Sequence, residues 1–367
     1  MRLGIDISTY IEEKAINQRY FENGKEINPL IDFRKNNVDL IRLRVWNNPY
    51  SLDKKPYLGG TNDVKQDIKI IKETIGYGYQ YIIDFHYSDF WVDPGKQMMP
   101  KEWVNLGFDE VKKKVYGFTK KSLVEIKKTG AEVPYIQIGN ETTNGFIWPL
   151  GQLIDQGKNK KRSNYRNFIS LVKSGIRGAR SVYPDAKIII HLERSNDYKV
   201  YEELFNELEK AHVDYDIIGM SYYPYWHGNF DELFFNINNC RTKFNKNVMI
   251  MELGYGFTLE DYILNNNGQN QMKVNKENME AKLPYDISVE GQALFIEDFI
   301  SRCKKAELEG VIYWEPLWIP GENICWASLE GQEYIHEGGK STRNEWSNQC
   351  LFDYSGNKLP GFDKFKL

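Results

Sequence analysis

Cysteine is sparse in this chain: four in 367 residues, Cys240, Cys303, Cys325 and Cys350. None stands at a metal-ligand spacing from another, so a structural zinc site is not expected. Cys325 and Cys350 share the C-terminal loop region and could pair in an oxidising compartment, but a core this large needs no covalent staple and free thiols are the expectation. No apolar stretch approaches the ~18 consecutive residues of a membrane span, so no membrane partner is expected. Met1-Arg2-Leu3-Gly4-Ile5-Asp6 meets an acid too early for the apolar core of a signal peptide. The protein is expected in the cytoplasm as the chain is given, or outside the cell if a leader is removed. A basic excess is missing too: 48 Lys and Arg against 51 Asp and Glu give a net charge of −3, unsuited to nucleic acid. No G-x-G-x-x-G follows the first apolar run, which weakens a nucleotide-binding reading. No linker, repeat or low-complexity segment divides the chain. We expect one domain over residues 1–367, acting as a monomer.

Aromatics, by contrast, are plentiful: 9 Trp, 24 Tyr and 19 Phe make up 14% of the chain. Short β-type runs occur at 3–7, 39–45, 80–85, 133–138, 186–191, 215–220, 248–251 and 310–314. Amphipathic helical patterns lie between them, near 27–36, 64–76, 108–129, 163–182, 199–209, 229–239 and 289–306. Eight strands alternating with seven helices predict an α/β fold with a parallel sheet, and eight close naturally into a single (β/α)8 barrel. The segments after strands 3, 4, 7 and 8 are long, and in such a barrel they build the active-site face. The polar, turn-rich stretch Asn265-Asn266-Asn267-Gly268-Gln269-Asn270 predicts mobility in the seventh loop.

In a barrel strand alternate side chains point inward and the last residues reach the mouth. Strand 2 carries Arg42 and Arg44 on one face. Strand 3 ends in Asp84-Phe85-His86-Tyr87-Ser88-Asp89-Phe90-Trp91, strand 5 in His191, strand 6 in Ser221-Tyr222-Tyr223, and strand 8 in Tyr313-Trp314. Two runs, Ile138-Gly139-Asn140-Glu141 and Met249-Ile250-Met251-Glu252-Leu253, stop abruptly at a glutamate. Singly, each residue has a duller reading. A strand-end Glu can cap a helix, His86 and Trp314 can be core residues, and Arg42 and Arg44 can form a structural ion pair with Asp6 or Asp84. Together they do not, because a packing core has no use for acids at the mouths of strands 4 and 7. Those strands oppose each other across an eight-stranded barrel. A retaining glycosidase needs two carboxyl groups ~5–5.5 Å apart, one to protonate the leaving oxygen and one to attack the anomeric carbon. An arginine of strand 2 and Tyr223 would keep the attacking carboxylate ionised. Asn140 is placed to bond a sugar hydroxyl, and Trp314 offers a flat floor.

Several motifs resemble glycoside hydrolase family 53, the (arabino)galactan endo-β-1,4-galactanases of clan A. They are Arg42-Leu43-Arg44-Val45-Trp46-Asn47-Asn48-Pro49, Asp84-Phe85-His86-Tyr87-Ser88-Asp89-Phe90-Trp91-Val92-Asp93-Pro94, Ile138-Gly139-Asn140-Glu141 and Tyr313-Trp314-Glu315-Pro316-Leu317-Trp318. The resemblance implies a (β/α)8 glycosidase that cleaves β-1,4-galactosidic bonds in galactan side chains of pectin with retention. It implies Glu141 as acid/base and Glu252 as nucleophile. Arg42, Arg44, Asp84, His86, Asp89, Asn140, His191, Tyr223 and Trp314 are then expected at the substrate, with Trp91 and Trp318 as groove walls. No cofactor is implied. Some bacterial members bind calcium through a D-x-D-x-H-x-N run in the seventh loop. The corresponding Glu260-Asp261-Tyr262-Ile263-Leu264-Asn265-Asn266-Asn267 lacks that spacing of oxygen ligands, so no metal is expected. Two further departures are Leu253, where members commonly have Thr, and Leu192-Glu193-Arg194 after the strand 5 His. The alternatives are a mannanase or other clan A β-glycanase, and an inactive barrel that binds polysaccharide.

Overall fold

The computed structural model describes residues 1–153, 163–263, 270–276 and 283–367. Its centre is a closed barrel of eight parallel strands in chain order. These are β1 Arg2–Asp6, β2 Val38–Val45, β3 Gln80–Phe85, β4 Tyr135–Ile138, β5 Lys187–Leu192, β6 Ile217–Tyr222, β7 Asn247–Leu253 and β8 Gly310–Trp314. β8 pairs with β1, so no edge is left open.

Strand sequence dictates two cores. Outward residues of β2, Ile41, Leu43 and Val45, join the large cluster beneath the helices. Inward residues fill the lumen in layers. Its floor is apolar: Leu40, Ile82, Tyr135, Ile189, Ile217, Met249, Met251 and Ile312. Gly219 makes room there, since a Cβ would stand 2.8 Å from Met251 Cγ. Above that floor the register sets Asp6 level with Arg42, Arg44 with Asp84, and Ser221 with Glu252. The lumen thus turns from hydrocarbon to charge within two residues, and the charged end is the end with the long loops.

Helices Pro29–Lys35, Val64–Thr74, Phe108–Lys127, Tyr165–Arg180, Tyr198–Lys210, Phe230–Phe244 and Val289–Lys305 lie between successive strands. Side chains of Asn28, Asp63, Asn229 and Ser288 cap their respective N-termini. The seven expected helices agree with these to within a few residues, except that 229–239 extends to Phe244. Strands 4 and 6 begin two residues later than expected, at Tyr135 and Ile217. Two small hairpins, Tyr20–Glu22 with Lys25–Ile27 and Gly145–Phe146 with Gly151–Gln152, were not foreseen. Nor were the short helices Tyr10–Ala15, Leu329–Tyr334 and Pro360–Lys364. A fifth long segment, 46–63, follows β2. Of the turn-rich stretch expected to be mobile, residues 265–269 lie outside the described residues.

Candidate active site

Arg42 is the hub of the charged layer and is fully buried. Its Nη1 donates to Asp6 Oδ2 (2.9 Å) and Glu252 Oε1 (3.1 Å), and its Nη2 to Asp84 Oδ2 (2.8 Å) and Asn140 Oδ1 (2.9 Å). Burial opposes its charge, but Asp84, Glu252 and Asp6 together hold it protonated. Arg44 donates to Glu315 Oε1 (2.7 Å) and Asp6 Oδ1 (3.2 Å). Its guanidinium carbon stands 4.3 Å from the centre of the Trp91 ring. Both arginines therefore pair with Asp6 and one also with Asp84, as the ion-pair reading required, while Arg42 also reaches Glu252. His86 sits beside them as a neutral imidazole. Its Nδ1 accepts from Trp46 Nε1 (3.1 Å), so Nε2–H donates to Asp84 Oδ2 (3.0 Å). Burial lowers its pKa against the pull of Asp84.

Two left-handed residues, Gly139 (φ 81°) and Glu141 (φ 47°), bend the chain out of β4. Only glycine takes the first without strain. Gln97 steadies the bend by donating to Asn140 O (2.8 Å). The bend turns Glu141 toward Glu252, and ligand oxygens of the two carboxyl groups lie within 4.8 Å of each other. That falls short of the ~6.5–9.5 Å of inverting enzymes and suits the retaining arrangement. The environments differ. Glu252 accepts from Arg42 and, at Oε2, from Tyr223 OH (3.0 Å). Burial raises its pKa, with Arg42 opposing and Asp6 adding to the rise. Glu141 forms no ion pair among the described residues. Burial, then the charges of Glu252 and Glu193, push it well above the carboxylate range. Its contact is Ser221 Oγ, 2.6 Å from Oε1.

The pair opens into a cleft of about 450 Å³, within the size range of ligand sites. Of the expected residues, Arg44, His86, Trp91, Asn140, Glu141, Tyr223, Glu252 and Trp314 line it. Five do not. Arg42, Asp84 and His191 lie fully buried beneath it. Trp318, expected as a groove wall, is buried at 1% exposure, its ring 5.8 Å from Trp314 and 6.3 Å from Trp91. It supports those two rings from behind. Asp89, expected at the substrate, ties loops together: it accepts from Asn47 Nδ2, Asn48 N and Lys101 N. The residues after strand 3 leave the two-residue alternation, so their facing could not be read from spacing.

The cleft also takes residues not foreseen in it: Lys96, Trp226, His227, Lys273, Trp326, Glu337, Lys340 and Trp346, from the loops, and Glu193 beyond β5. Trp226 and Trp346 stand edge to face at 6.0 Å, and Trp346 meets Trp314 at 5.4 Å. The aromatic surplus was the signal for these, without saying which rings. Glu193 is held by Thr143 Oγ1. Ser221 and Gln137, both lumen residues, were missed as parts of the site.

Two metal readings meet the same chemistry. Asp261, one of the two acids of the seventh-loop stretch expected not to hold calcium, pairs with Arg343, while residues 264–267 lie outside the described residues. Glu141, His191 and Glu252 bring ligand-type atoms together, but His191 Nε2 is occupied by Ser221 at 2.9 Å. No described helix is long and apolar enough to cross a membrane. The four cysteines are unpaired and buried.

Comparison with known proteins agrees with this geometry. The family model of glycosyl hydrolase family 53 matches residues 2–365. An endo-β-1,4-galactanase of Bacillus subtilis (strain 168) is 34% identical, over 99% of this chain and 85% of its own length. An arabinogalactan endo-β-1,4-galactanase of Cellvibrio japonicus (strain Ueda107) is 28% identical, over 99% of this chain and 90% of its own. Among solved structures, the GH53 catalytic domain of Ignisphaera aggregans superposes with a TM-score of 0.85 at 33% identity, over 99% of this chain and 95% of that one. With a barrel, a facing carboxylate pair and an end-to-end match in hand, the chain belongs to glycosyl hydrolase family 53.

Proposed function

We propose that this chain is a retaining endo-β-1,4-galactanase acting on (arabino)galactan by double displacement, with Glu141 as acid/base and Glu252 as nucleophile. One observation carries the mechanism: two carboxyl groups within reach of one sugar, in opposite environments. Glu252 has two donors to its ionised form, Arg42 and Tyr223. It therefore attacks the anomeric carbon as a carboxylate. Glu141, pushed up by burial and by like charges, carries the proton for the leaving oxygen. Once Glu252 is bonded to the sugar its charge is gone, and with it part of the repulsion that raises Glu141, which then takes a proton from the incoming water. Asn140 is fixed by Arg42 and keeps its amide group beside the pair. Trp314, 8% exposed, offers its face to the sugar at the cleft floor.

Galactan as the substrate is supported by the names of the two bacterial relatives. Endo action is supported by the run of aromatic rings along the cleft, Trp91, Trp314, Trp346 and Trp226, each within 6.3 Å of the next, with Trp326 also lining it. The chain acts as a single-domain monomer on this reading, and light scattering at 43.1 kDa checks it. The functional test is a product time course on linear galactan, mannan and cellulose, with NMR of the newly released anomer. Early mixed oligosaccharides from galactan, formed as the β-anomer, are expected. Activity on mannan with none on galactan would sink the substrate, and initial release of the α-anomer would sink the mechanism.

A further inference from the structure

The contacts behind Glu141 leave little freedom in where hydrogens sit. Asn140 Oδ1 is an oxygen, because Arg42 Nη2, 2.9 Å away, can only donate. Gln137 Nε2 has two hydrogens and three neighbours within reach: Gly139 O at 3.0 Å, His191 Nδ1 at 3.1 Å and Asn140 Oδ1 at 3.2 Å. His191 Nδ1 lies 3.0 Å from Asn140 Oδ1. A bare Nδ1 would accept from Gln137 but set its lone pair against that oxygen, whereas a protonated Nδ1 donates to it and leaves Gln137 to Gly139 O and Asn140 Oδ1; only the second arrangement leaves no lone pairs opposed. His191 is fully buried with Arg42 nearby, which keeps the ring neutral. Its Nε2 is then bare and accepts from Ser221 Oγ–H at 2.9 Å. That spends the one hydroxyl hydrogen. The 2.6 Å contact between Ser221 Oγ and Glu141 Oε1 needs another, and Glu141 alone can supply it.

We propose that Ser221 and His191 form a one-way hydrogen-bond relay that parks the catalytic proton on the inner oxygen of Glu141 in the free enzyme. The proposal rests on the assignment of Glu141 as acid/base. Ionising Glu141 turns the Ser221 hydroxyl round to donate to the carboxylate, at the loss of its bond to His191. Delivering the proton costs the same bond. The carboxyl turns about Cγ–Cδ so that its O–H meets the glycosidic oxygen, and Ser221 donates to the oxygen that takes its place. The proton then passes to the leaving oxygen as the glycosidic bond breaks, and the bond's electrons leave with that oxygen. His191 is thus a positioning residue that acts through Ser221. The other charged groups facing Glu141 are Glu252 from β7, Glu193 beyond β5 and Asp93 from the loop after β3. Those facing His191 are Arg42, His86 and His227. None changes in the variants below.

Neutron diffraction from deuterium-exchanged crystals of the full chain, at a pD within the active range, reads the relay directly. Deuterium is expected on His191 Nδ1 and Glu141 Oε1, with the Ser221 O–D directed at a bare His191 Nε2. Deuterium on His191 Nε2 would overturn the proposal. In kinetics, His191→Phe removes the acceptor and frees Ser221 for the carboxylate. The alkaline limb of kcat/KM is expected to move down by roughly one pH unit, the size of one lost hydrogen bond. In a Ser221→Ala background the same substitution is expected to leave that limb in place. A drop in rate with no shift of the limb, or an equal shift in both backgrounds, refutes the relay. If His191→Phe does not fold, the deuterium positions in the unaltered protein still decide. Absence of galactan cleavage would refute the proposed function instead, and leaves the deuterium positions readable.

Discussion

Tyr223→Phe isolates one of the two donors that keep Glu252 ionised. The hydroxyl lies 3.0 Å from Glu252 Oε2, and tyrosine and glutamate are both buried, at 6% and 8% exposure. Phenylalanine keeps the ring and its contacts with Trp226 and His227, each at 5.9 Å. The substitution therefore removes a hydrogen bond and little packing. A hydrogen bond to a buried carboxylate is worth about 1.5–3 kcal/mol, and about 1.4 kcal/mol corresponds to one pKa unit. The donor favours the ionised form, so losing it raises the pKa of Glu252 by about one to two units. The acid limb of kcat/KM on galactan, which requires Glu252 ionised, should move to higher pH by that amount. On the alkaline side of that limb the rate should still be lower, because the same bond stabilises the carboxylate as the sugar departs in the second step. The acid limb is read from initial rates across the pH range. An unmoved limb, with any loss confined to KM, would mean that Tyr223 serves the sugar and not the nucleophile.

Glu193→Gln removes a like charge that helps push Glu141 up, so the alkaline limb should shift to lower pH, and a shift upward would contradict the placement. Glu252→Ala should lose more activity than Glu141→Ala on aryl galactosides with good leaving groups, which need little acid help; equal losses in initial-rate assays would undo the division of roles. Glu13 is fully buried with its pKa raised from 4.5 to about 7, chiefly by burial. A raised folded value means that its contribution is intact below 4.5 and is lost as pH rises toward 7, on the order of 3 kcal/mol. Glu13→Gln, which retains donors and acceptors for Tyr20 and Thr9, should therefore flatten the fall in Tm between those pH values, and an unchanged Tm profile would refute this. All four thiols are buried, and burial raises that of Cys325 to about 12. Ellman's reagent should find almost none in the native protein and four after denaturation without reductant; two after denaturation would reveal a disulfide.

The barrel was legible because its signal is carried by whole segments. A run such as Gln80–Phe85 must be buried on both faces, and no change of register alters that. Strand ends were less so, since hydrogen bonding to neighbours sets them: β4 starts at Tyr135, where its pairing with Ile82 begins. Glu141 and Glu252 stood out because two acids that end apolar runs on opposing strands meet at the mouth of a barrel, where packing alone has no use for the pair. Trp318 and Asp89 were misplaced because loop residues carry no periodicity that says which way they face. Ser221, Gln137 and Glu193 were passed over for a different reason. A serine or glutamine inside a strand looks like tolerated polarity until closure of the barrel brings it against the catalytic groups from a neighbouring strand.

The charged layer under the cleft also explains why Glu252 sits high despite an arginine at 3.1 Å. Arg42 and Arg44 supply two positive charges, and Asp6 and Asp84 already match them at 2.8–3.2 Å. Glu315, the remaining acid on Arg44, is held well above the carboxylate range by burial, even against that arginine. The two arginines thus face more acids than they can match, and an ionised Glu252 adds a further negative charge to the buried layer. Bonding to the sugar cancels that charge. Arg42 then keeps Asp6 and Asp84, and no buried cation is stranded, which would otherwise cost several kcal/mol. The layer therefore carries less excess negative charge in the covalent intermediate than in the free enzyme. An acid network tuned only to hold Glu252 ionised would have left Arg42 to it alone; sharing the arginine with Asp6 and Asp84 weakens the grip on the nucleophile and lowers the cost of its losing its charge.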